Sequence, residues 1–235
     1  MSDIPVNELL AEGVLSLCKN DSDIEKIIAP RRGEIIALLD AYITEIMTHN
    51  PVLSLVGTND PKELVIRHAL DSLAPLGIIS RKCNLSSVAD VGSGAGLPGI
   101  PLAIVLPDSE FTLIERKGRR AGFLRDTLAV FINKNRSSLS NVSVEEQEME
   151  KVKPHRFTMV TFRAFRPLDP KILKKLFRLC ADGGTLAAYK GRRSKVEAEM
   201  AELEPPNQTI RWELIPCPVP FLEEERHILI IRNEE

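Results

Sequence analysis

A glycine-rich segment at residues 88–99 contains the residue types whose spacing most clearly indicates chemistry. Its first residues are apolar enough for a buried strand, and Gly92, Gly94 and Gly96 then alternate with small residues in a turn. Because glycine has no Cβ, such a turn lets backbone N–H groups approach a nucleotide-like ligand closely. The segment therefore predicts a strand, a ligand-binding turn and the start of a helix.

Asp90 stands two residues before Gly92 and completes the pattern Asp-x-Gly-x-Gly-x-Gly, which is typical of class I methyltransferases that use S-adenosylmethionine (SAM). From Gly94 the chain also matches the dinucleotide fingerprint G-x-G-x-x-G, but that fingerprint begins directly after its strand, where Gly92 already stands. No Gly-Lys-Ser/Thr ends the loop, which excludes a P-loop nucleotidase. A tight turn without a ligand stays open as the alternative.

The composition of the 235-residue chain is that of a globular protein with a sizeable core, with 43% hydrophobic and 27% charged residues. No apolar run approaches the roughly 20 residues that span a membrane, and the first residues lack a signal region, so we expect a cytoplasmic protein. A net charge of −2 excludes coating of nucleic acid by bulk charge. The four cysteines stand far apart without a C-x-x-C pair, so no metal site is predicted.

Helical periodicity dominates residues 1–85, whereas strand, loop and helix alternate from residue 86. We expect one helix from residue 6 to 17, one from 35 until Asn50-Pro51, and one from Asp60-Pro61, where Asp60 can cap the helix and Pro61 suits its first turn. Strands are predicted at residues 87–91, 110–115, 141–145, 157–161, 185–189, 210–215 and 227–231, and further helices at 97–106, 117–133 and 168–181.

This alternation predicts an α/β fold with a doubly wound sheet of seven strands that ends in an antiparallel pair. That arrangement is the class I SAM methyltransferase form of the fold, here with a helical N-terminal extension. We expect residues 1–85 to form a helical substrate or cap region and residues 86–235 to form the SAM-binding domain.

Three further segments are expected to meet the glycine loop at the carboxyl edge of the sheet, where open α/β sheets bind ligands. Glu115 ends the second strand about 20 residues after the loop, where an acid binds the ribose hydroxyls of SAM or of NAD alike. The acidic run at 145–150 follows the third strand and by itself predicts only a solvated face. Arg163 ends the fourth strand, where it needs an anionic or polar partner.

Several segments together resemble the bacterial small-subunit rRNA guanine-N7 methyltransferases, also called glucose-inhibited division protein B. The glycine loop alone indicates a methyltransferase, while its Leu-Pro-Gly-Ile-Pro extension and an upstream Arg-His-x-x-Asp-Ser-Leu are far more specific. The segments occur in the family's order: Asn50-Pro-Val-Leu-Ser-Leu55, Arg67-His-Ala-Leu-Asp-Ser-Leu73, the loop from Asp90 to Pro101, Arg163-Ala-Phe165, Tyr189-Lys-Gly191 and Glu225-Arg-His227.

The resemblance implies SAM as the cofactor, and the family's contacts carry over by position to Gly92, Leu97, Met149, Glu150 and Arg163. It also implies methyl transfer to N7 of guanine 527, in the helix 18 loop of 16S rRNA, so the expected partner is 16S rRNA or the small ribosomal subunit. Together with the loop and strand arguments, the expected SAM-binding residues are Asp90, Gly92, Gly94, Gly96, Leu97, Glu115, Met149, Glu150 and Arg163.

The chain departs from the family's pattern at four positions. Ser54 stands where the family usually has asparagine, and Val56 where it often has threonine. His49 replaces an aromatic residue, commonly tryptophan, and Phe162 replaces a small residue before Arg-Ala-Phe. These changes affect the N-terminal substrate side more than the SAM loop.

Methylation at guanine N7 requires no general base from the protein, because N7 has an exposed lone pair and no proton to lose. Holding N7 in line with the S–CH₃ bond then supplies most of the catalysis. We expect Arg163 to orient the methionine carboxylate of SAM or to donate toward guanine O6, and Phe165 to stack on or near the base. A structural salt bridge for Arg163 and a plain core position for Phe165 are the alternatives.

RNA binding by a chain without a basic excess requires local clusters of cations. Two groups are expected to frame one mouth at the carboxyl edge of the sheet, and they comprise Arg116, Lys117, Arg119 and Arg120 after the second strand and Lys190, Arg192 and Arg193 after the fifth. We expect a monomer. The alternatives are a SAM-dependent methyltransferase of a small molecule or protein, an NAD-dependent oxidoreductase, and a binding protein without enzymatic activity.

Overall fold

The computed structural model describes residues 5–133, 139–164, 166–203 and 210–233. Within these ranges, seven strands form one sheet in the order β3-β2-β1-β4-β5-β7-β6. The strands are β1 (Ser87–Val91), β2 (Glu110–Ile114), β3 (Val142–Glu145), β4 (Phe157–Arg163), β5 (Cys180–Lys190), β6 (Ile210–Pro216) and β7 (His227–Asn233).

The sheet is parallel from β3 to β5, and β7 runs antiparallel to both β5 and β6. Residues 217–226 join β6 to β7 without a helix, as the sequence predicts. The strand order reverses between β1 and β4, so a crevice opens at the carboxyl ends of these two strands. The predicted seven-stranded, doubly wound sheet is confirmed.

The helices cover the sheet, and polar caps begin several of them. The Asp60 carboxylate accepts the N–H groups of Lys62 and Glu63, and Pro61 occupies the first turn, as predicted. The helices are α1 (Val6–Asn20), α2 (Ser22–Ile28), α3 (Arg32–Leu53), α4 (Pro61–Leu64), α5 (Asp71–Leu73), α6 (Leu76–Lys82), α7 (Gly99–Val105), α8 (Gly118–Asn133), α9 (Pro170–Phe177) and α10 (Arg193–Leu203).

A π-helical turn, Val65–Leu70, joins α4 to α5, so the chain from Pro61 to Leu73 forms one continuous helical segment. Helices α2, α6 and α10 were not predicted from the sequence. The first two are each seven residues long, which is too short for a clear helical period of apolar residues.

The prediction that α3 ends at Asn50-Pro51 is wrong, because the helix continues through Pro51 to Leu53. It ends at Ser54, whose backbone is left-handed with a φ of 49° and whose N–H donates to the Asn50 carbonyl. The Asn50 side chain holds the next loop, since its oxygen accepts the Val56 N–H and its nitrogen donates to the Thr58 carbonyl. These bonds fix the direction of the chain after the helix ends.

The N-terminal helices pack against the same hydrophobic cluster as the sheet. Buried residues of α3, such as Leu39, belong to one cluster with Leu102 of α7 and Leu113 of β2. The buried Tyr42 hydroxyl donates to the Ala95 carbonyl at 2.6 Å, which ties α3 directly to the glycine loop. The expected division at residues 85 and 86 stays a prediction. Among the described residues, no helix has the length and apolarity needed to cross a membrane.

Candidate functional site

The glycine loop follows β1 and lies at the crevice between β1 and β4. Gly92, Gly94 and Gly96 have φ angles of 72°, 58° and 92°, a region that glycine enters without steric cost. A Cβ on Gly96 would lie 2.5 Å from the Ile100 side chain, whereas a Cβ on Gly94 would meet nothing nearer than 3.7 Å. The backbone at Gly94 therefore faces open space, as a ligand cradle requires.

Glu115 is buried directly after β2 and fastens the loop. One carboxylate oxygen accepts the Gly94 N–H at 3.0 Å, and the other accepts the Lys117 N–H at 2.8 Å. Since a carboxylate offers about four lone-pair positions, both oxygens can still accept a hydroxyl. Glu115 can therefore support the loop and bind a diol at the same time.

Asp90 supports the loop from behind. Its side chain is fully buried, and one oxygen accepts the Gly99 N–H at 3.0 Å at the start of α7. Burial raises the pKa of Asp90 to about 7. Its second oxygen is buried and accepts no hydrogen bond from the described residues. Asp90 lines neither of the two cavities described next, so its contact with SAM stays a prediction.

A cavity of about 460 Å³ opens beside Glu115, and we call it the carboxylate cavity. Three predicted SAM-binding residues, Gly92, Met149 and Glu150, line it together with Glu115. The Glu150 carboxylate lies 2.7 Å from the Lys175 ammonium, which holds the pKa of Glu150 below its ordinary value. The expected nucleoside contacts, which come from separate loops, thus surround one cavity.

A second cavity of about 620 Å³, which we call the arginine cavity, adjoins the first, since Gly92, Arg120 and Ala164 line both. Gly94 and Leu97 of the glycine loop also line it. Its cationic lining comprises Arg67, Arg120, Arg163, Lys190 and Arg226.

Arg163 at the end of β4 has the anionic partner that its position requires. Its Nη1 donates to the Asp71 carboxylate at 3.1 Å and to the Arg67 carbonyl at 3.2 Å. Its Nη2 lies 3.1 Å from Nδ1 of His68. A guanidinium has five N–H donors, so two of them, on Nε and Nη2, are not used by these contacts. Arg163 can therefore keep this network and still donate to a ligand.

Asp71 joins two arginines of the arginine cavity. One of its oxygens lies 3.1 Å from Arg163, and the other lies 3.2 Å from Nε of Arg226 in the β6–β7 loop. Burial raises the pKa of Asp71, and the two guanidinium groups act against that rise. A single carboxylate on the helical segment before β1 thus positions the cation that ends β4 and a cation of the β6–β7 loop.

His68 is a neutral member of this network. Burial and the adjacent Arg163 and Arg67 lower its pKa to about 4. A neutral ring whose Nδ1 accepts from Arg163 has its proton on Nε2. His68 is therefore a positioned hydrogen-bonding group in the arginine cavity rather than a cation.

Backbone strain marks the point where the two cavities meet. Ala164 has a φ of 49°, which is uncommon for a residue other than glycine. It lines both cavities directly after Arg163. Strained residues of this kind often occur at functional sites. Phe165, the predicted stacking residue, lies outside the described residues.

The predicted RNA-binding cations differ in their position and pairing, and of these only Arg116, Lys117, Arg120 and Lys190 line at least one of the two cavities. Arg116, Lys117 and Arg119 are exposed, and Arg116 lies 3.9 Å from Glu148. The second group is more fully paired, with Lys190 2.8 Å from Glu199 and Arg193 3.1 Å from Glu197, while Arg192 is exposed. Arg120 donates to the Ser54 carbonyl, and Arg120 and Lys190 both line the arginine cavity. The expected framing of one mouth by the two groups stays a prediction.

Several residues of the site received no role from the sequence, although they occur in the segments that carry the resemblance. Arg67 and Asp71 are four residues apart and share one helical face, and Arg226 lies far along the chain. The signal available in the sequence was Asp71, an acid within a helix that is predicted to pack against the core. An acid at such a position needs a partner, because acids are rarely fully buried without one.

The departures from the family's pattern fall on structural positions. Ser54 is the left-handed residue that ends α3, a conformation in which asparagine is favoured over serine. The His49 ring contacts the edge of Phe123 at 5.5 Å between ring centres, as an aromatic residue there would. Phe162 is buried in the cluster that packs between the sheet and α9. Val56 donates its backbone N–H to Asn50, a bond that does not depend on its side chain.

Comparison with known proteins gives consistent results. The family model described as rRNA small subunit methyltransferase G matches residues 35–229. The ribosomal RNA small subunit methyltransferase G of Treponema pallidum is 35% identical over 229 residues, covering 96% of this chain and 93% of the relative. That of Xylella fastidiosa is 37% identical over 203 residues, covering 86% and 88%.

Solved structures agree at the level of the fold. An Agrobacterium tumefaciens protein described as a predicted O-methyltransferase has a TM-score of 0.53 at 20% identity, covering 72% of this chain and 81% of its own. A SAM-dependent methyltransferase of Aquifex aeolicus has a TM-score of 0.50 at 14% identity, covering 73% and 93%. The fold is therefore that of class I methyltransferases.

Proposed function

Because the chain belongs to the rRNA small subunit methyltransferase G family, we propose that it transfers a methyl group from SAM to N7 of guanine 527 in 16S rRNA. The chain is a SAM-dependent rRNA methyltransferase; the particular base and the small ribosomal subunit as partner are what we propose. The observation that carries the proposal is the Arg163 network at the junction of two adjoining cavities.

The residues around the carboxylate cavity fit SAM. Gly92 brings the backbone of the glycine loop to this cavity, and Glu115 keeps lone pairs for the ribose hydroxyls. The open backbone at Gly94 lines the adjoining arginine cavity and can accommodate the rest of the cofactor. Met149 and Glu150 line the side on which the adenine is expected. When bound, SAM supplies a methyl group that its sulfonium already activates.

The residues of the arginine cavity then have a positioning task. Guanine N7 carries a lone pair and no proton, so no side chain has to act as a general base. The neutral His68, with its Nδ1 facing Arg163, is consistent with that requirement. The two unused donors of Arg163 support its expected role toward the methionine carboxylate or guanine O6. Orientation of this kind can lower the activation barrier by at most about 7–11 kcal/mol.

The remaining site roles are part of the same proposal. Asp90, Gly96 and Leu97 shape the cofactor loop, and Phe165 stacks on the target base. Exposed Arg119 and Arg192 contact RNA phosphates. We further propose that the enzyme acts as a monomer in the cytoplasm, where ribosomal subunits are assembled.

The test is methyl transfer from labelled SAM into small ribosomal subunits and deproteinised 16S rRNA from a strain that lacks this enzyme. Nuclease digestion is expected to give 7-methylguanosine at position 527 as the single labelled nucleoside. Arg163→Lys, which removes the planar donor fork, is expected to lower the rate, while Arg211→Lys, the same substitution at an exposed position of β6 outside both cavities, is the matched control. Binding of SAM without label in either RNA would favour the alternative, a small-molecule or protein substrate.

A further inference from the structure

A third cavity of about 450 Å³, which we call the lysine cavity, lies against the arginine cavity. The two share Arg67, Lys190, Gly191 and Arg226, whereas none of the described residues lines both the lysine cavity and the carboxylate cavity. The lysine cavity is therefore on the side away from the expected nucleoside of SAM. A ligand there would contact the substrate side of the site.

The lining of the lysine cavity is that of an anion site. Five of its side chains are cationic and three are carboxylates, which leaves an excess of positive charge. Arg192 and Lys195 are exposed at its rim, and Lys190 is held inside by Glu199 at 2.8 Å. Such a concentration of cations is unexpected in a chain whose net charge is −2.

Two consecutive acids of the β6–β7 loop, Glu224 and Glu225, line this cavity and accept hydrogen bonds from donors in or next to it. The Glu224 carboxylate lies 2.6 Å from Nη2 of Arg67, and this contact lowers the pKa of Glu224. The Glu225 carboxylate accepts the backbone N–H of Arg193 at 2.9 Å, at the first residue of α10. A guanidinium and a helix N-terminus are the groups that proteins use for phosphate.

The Arg67–Glu224 contact can be exchanged at little cost. The side chains are 39% and 50% exposed, and exposed ion pairs contribute little to stability because water and salt screen them. Arg67 is also near a second carboxylate, since its Nε lies 3.6 Å from Glu63. An incoming phosphate would therefore replace one carboxylate with another anion on a guanidinium that is already ordered.

We propose that the lysine cavity binds a backbone phosphate of the RNA strand next to the target nucleotide, and that Glu224 occupies Arg67 in its place in the free enzyme. This inference rests on the proposed rRNA substrate and adds to it a phosphate subsite. We call Glu224 the placeholder, because its carboxylate occupies Arg67 until the phosphate binds. Arg67 is its central donor, because its backbone carbonyl also accepts from Arg163 and so links the subsite to the reaction site.

The test compares two single substitutions that change the charge of the chain equally. Glu224→Gln frees Arg67, whereas Glu223→Gln removes an exposed acid that does not line the lysine cavity. Affinity for deproteinised 16S rRNA is measured at several salt concentrations, with thermal unfolding to verify that each variant folds. Glu224→Gln is expected to bind roughly two- to fivefold tighter and Glu223→Gln to bind as the unmodified chain does.

Arg67→Gln provides the second arm. It is expected to weaken RNA binding, to reduce the slope of log affinity against log salt by about 0.7, and to abolish the gain from Glu224→Gln in the double variant. Equal gains from Glu223→Gln and Glu224→Gln would show that only overall charge matters and would overturn the role of Glu224, whereas unchanged RNA affinity and salt slope in Arg67→Gln would overturn the subsite. Tighter binding of inorganic phosphate alone, with RNA affinity unchanged, would overturn it as well.

The two levels of the proposal fail in different ways. If the unmodified chain methylates 16S rRNA while Glu224→Gln behaves like Glu223→Gln, the placeholder is overturned and the proposed function stands. If the unmodified chain neither binds nor methylates rRNA, the proposed function is overturned and the phosphate subsite with it.

Discussion

The Arg163 guanidinium donates to the Asp71 carboxylate at 3.1 Å across 92 residues of chain, and the two side chains are only 14% and 8% exposed. Because Asp71 also contacts Arg226, this carboxylate determines where two cations of the arginine cavity point. Removing one member of a buried ion pair costs more than the pair contributes, since the partner is left with an uncompensated charge. Asp71 is therefore central to the geometry of the site.

Asp71→Asn is expected to lower the free energy of unfolding by on the order of 3 kcal/mol and kcat/KM for rRNA by at least about tenfold. The neutral amide keeps the shape of the side chain but leaves Arg163 and Arg226 without their shared anion. Urea unfolding and methyl-transfer kinetics measure the two effects. Asp182→Asn, an exposed substitution of the same type, is the control, and equal behaviour of the two variants would contradict this prediction.

The buried Asp90 predicts a pH dependence of stability. Its pKa is raised to about 7 by burial, above the value of 3.8 for an exposed carboxyl, so the folded state binds the proton more tightly than the unfolded state. The contribution of Asp90 to the free energy of unfolding is therefore expected to fall as pH rises from about 4 to 7, by at most about 1.4 kcal/mol per pH unit, and to level off above that. Asp90→Asn removes this slope, and unfolding curves of both proteins across that range check it.

His68 predicts a slope of the opposite sign. Its pKa is lowered to about 4 from 6.5, so the unfolded state binds the proton more tightly. Stability from this group is present above about pH 6.5 and is lost as pH falls toward 4. His68→Asn is expected to abolish that loss. An NMR titration of the ring provides a direct check, and a midpoint near 6.5 for His68 would rule out its neutral role in the network.

Tyr42→Phe tests the link between α3 and the glycine loop. Loss of the 2.6 Å bond to the Ala95 carbonyl leaves a buried acceptor unsatisfied, which costs about 1–3 kcal/mol. Because Ala95 lies within the loop, SAM binding is expected to weaken by about tenfold although Tyr42 lines neither cavity. Calorimetry measures the affinity. Ser80→Ala, which removes a 2.9 Å bond to the Gly77 carbonyl in α6 at a residue that lines neither cavity, shows what the loss of a hydroxyl bond does elsewhere.

Ser54 offers a stabilising substitution. Its φ of 49° disfavours serine, and asparagine or glycine accepts this conformation more readily. Ser54→Asn is expected to raise the free energy of unfolding by roughly 0.5 kcal/mol, and Ser54→Gly by a similar amount. The contact from Arg120 goes to the backbone carbonyl and is retained in both. Denaturant unfolding checks the result, with Ser54→Ala expected to show no gain.

Sequence alone predicted the seven strands, the glycine loop and the cap at Asp60, because each depends on local properties. Met149 and Glu150 were expected to bind the cofactor only because of the family resemblance, and their contact with SAM stays a prediction. Backbone dihedrals of Gly92, Gly94 and Gly96 are set by residue type, and the periodicity of apolar residues follows from which face is buried. Pro51 shows the limit of such rules, since the helix continues through it where the Asn50 side chain holds the next loop.

The arrangement of Arg67, Asp71, Arg163 and Arg226 could be decided only by the tertiary structure. The types and positions of these residues can be read from the sequence, but their role depends on which of them form ion pairs at the arginine cavity. Contacts between residues that are far apart in sequence leave no periodic signal. Burial then turns the same side chains into a fixed network, since a buried charge must have a partner. The sequence by itself therefore determined the scaffold and the glycine loop, and the fold determined the charge network of the arginine cavity.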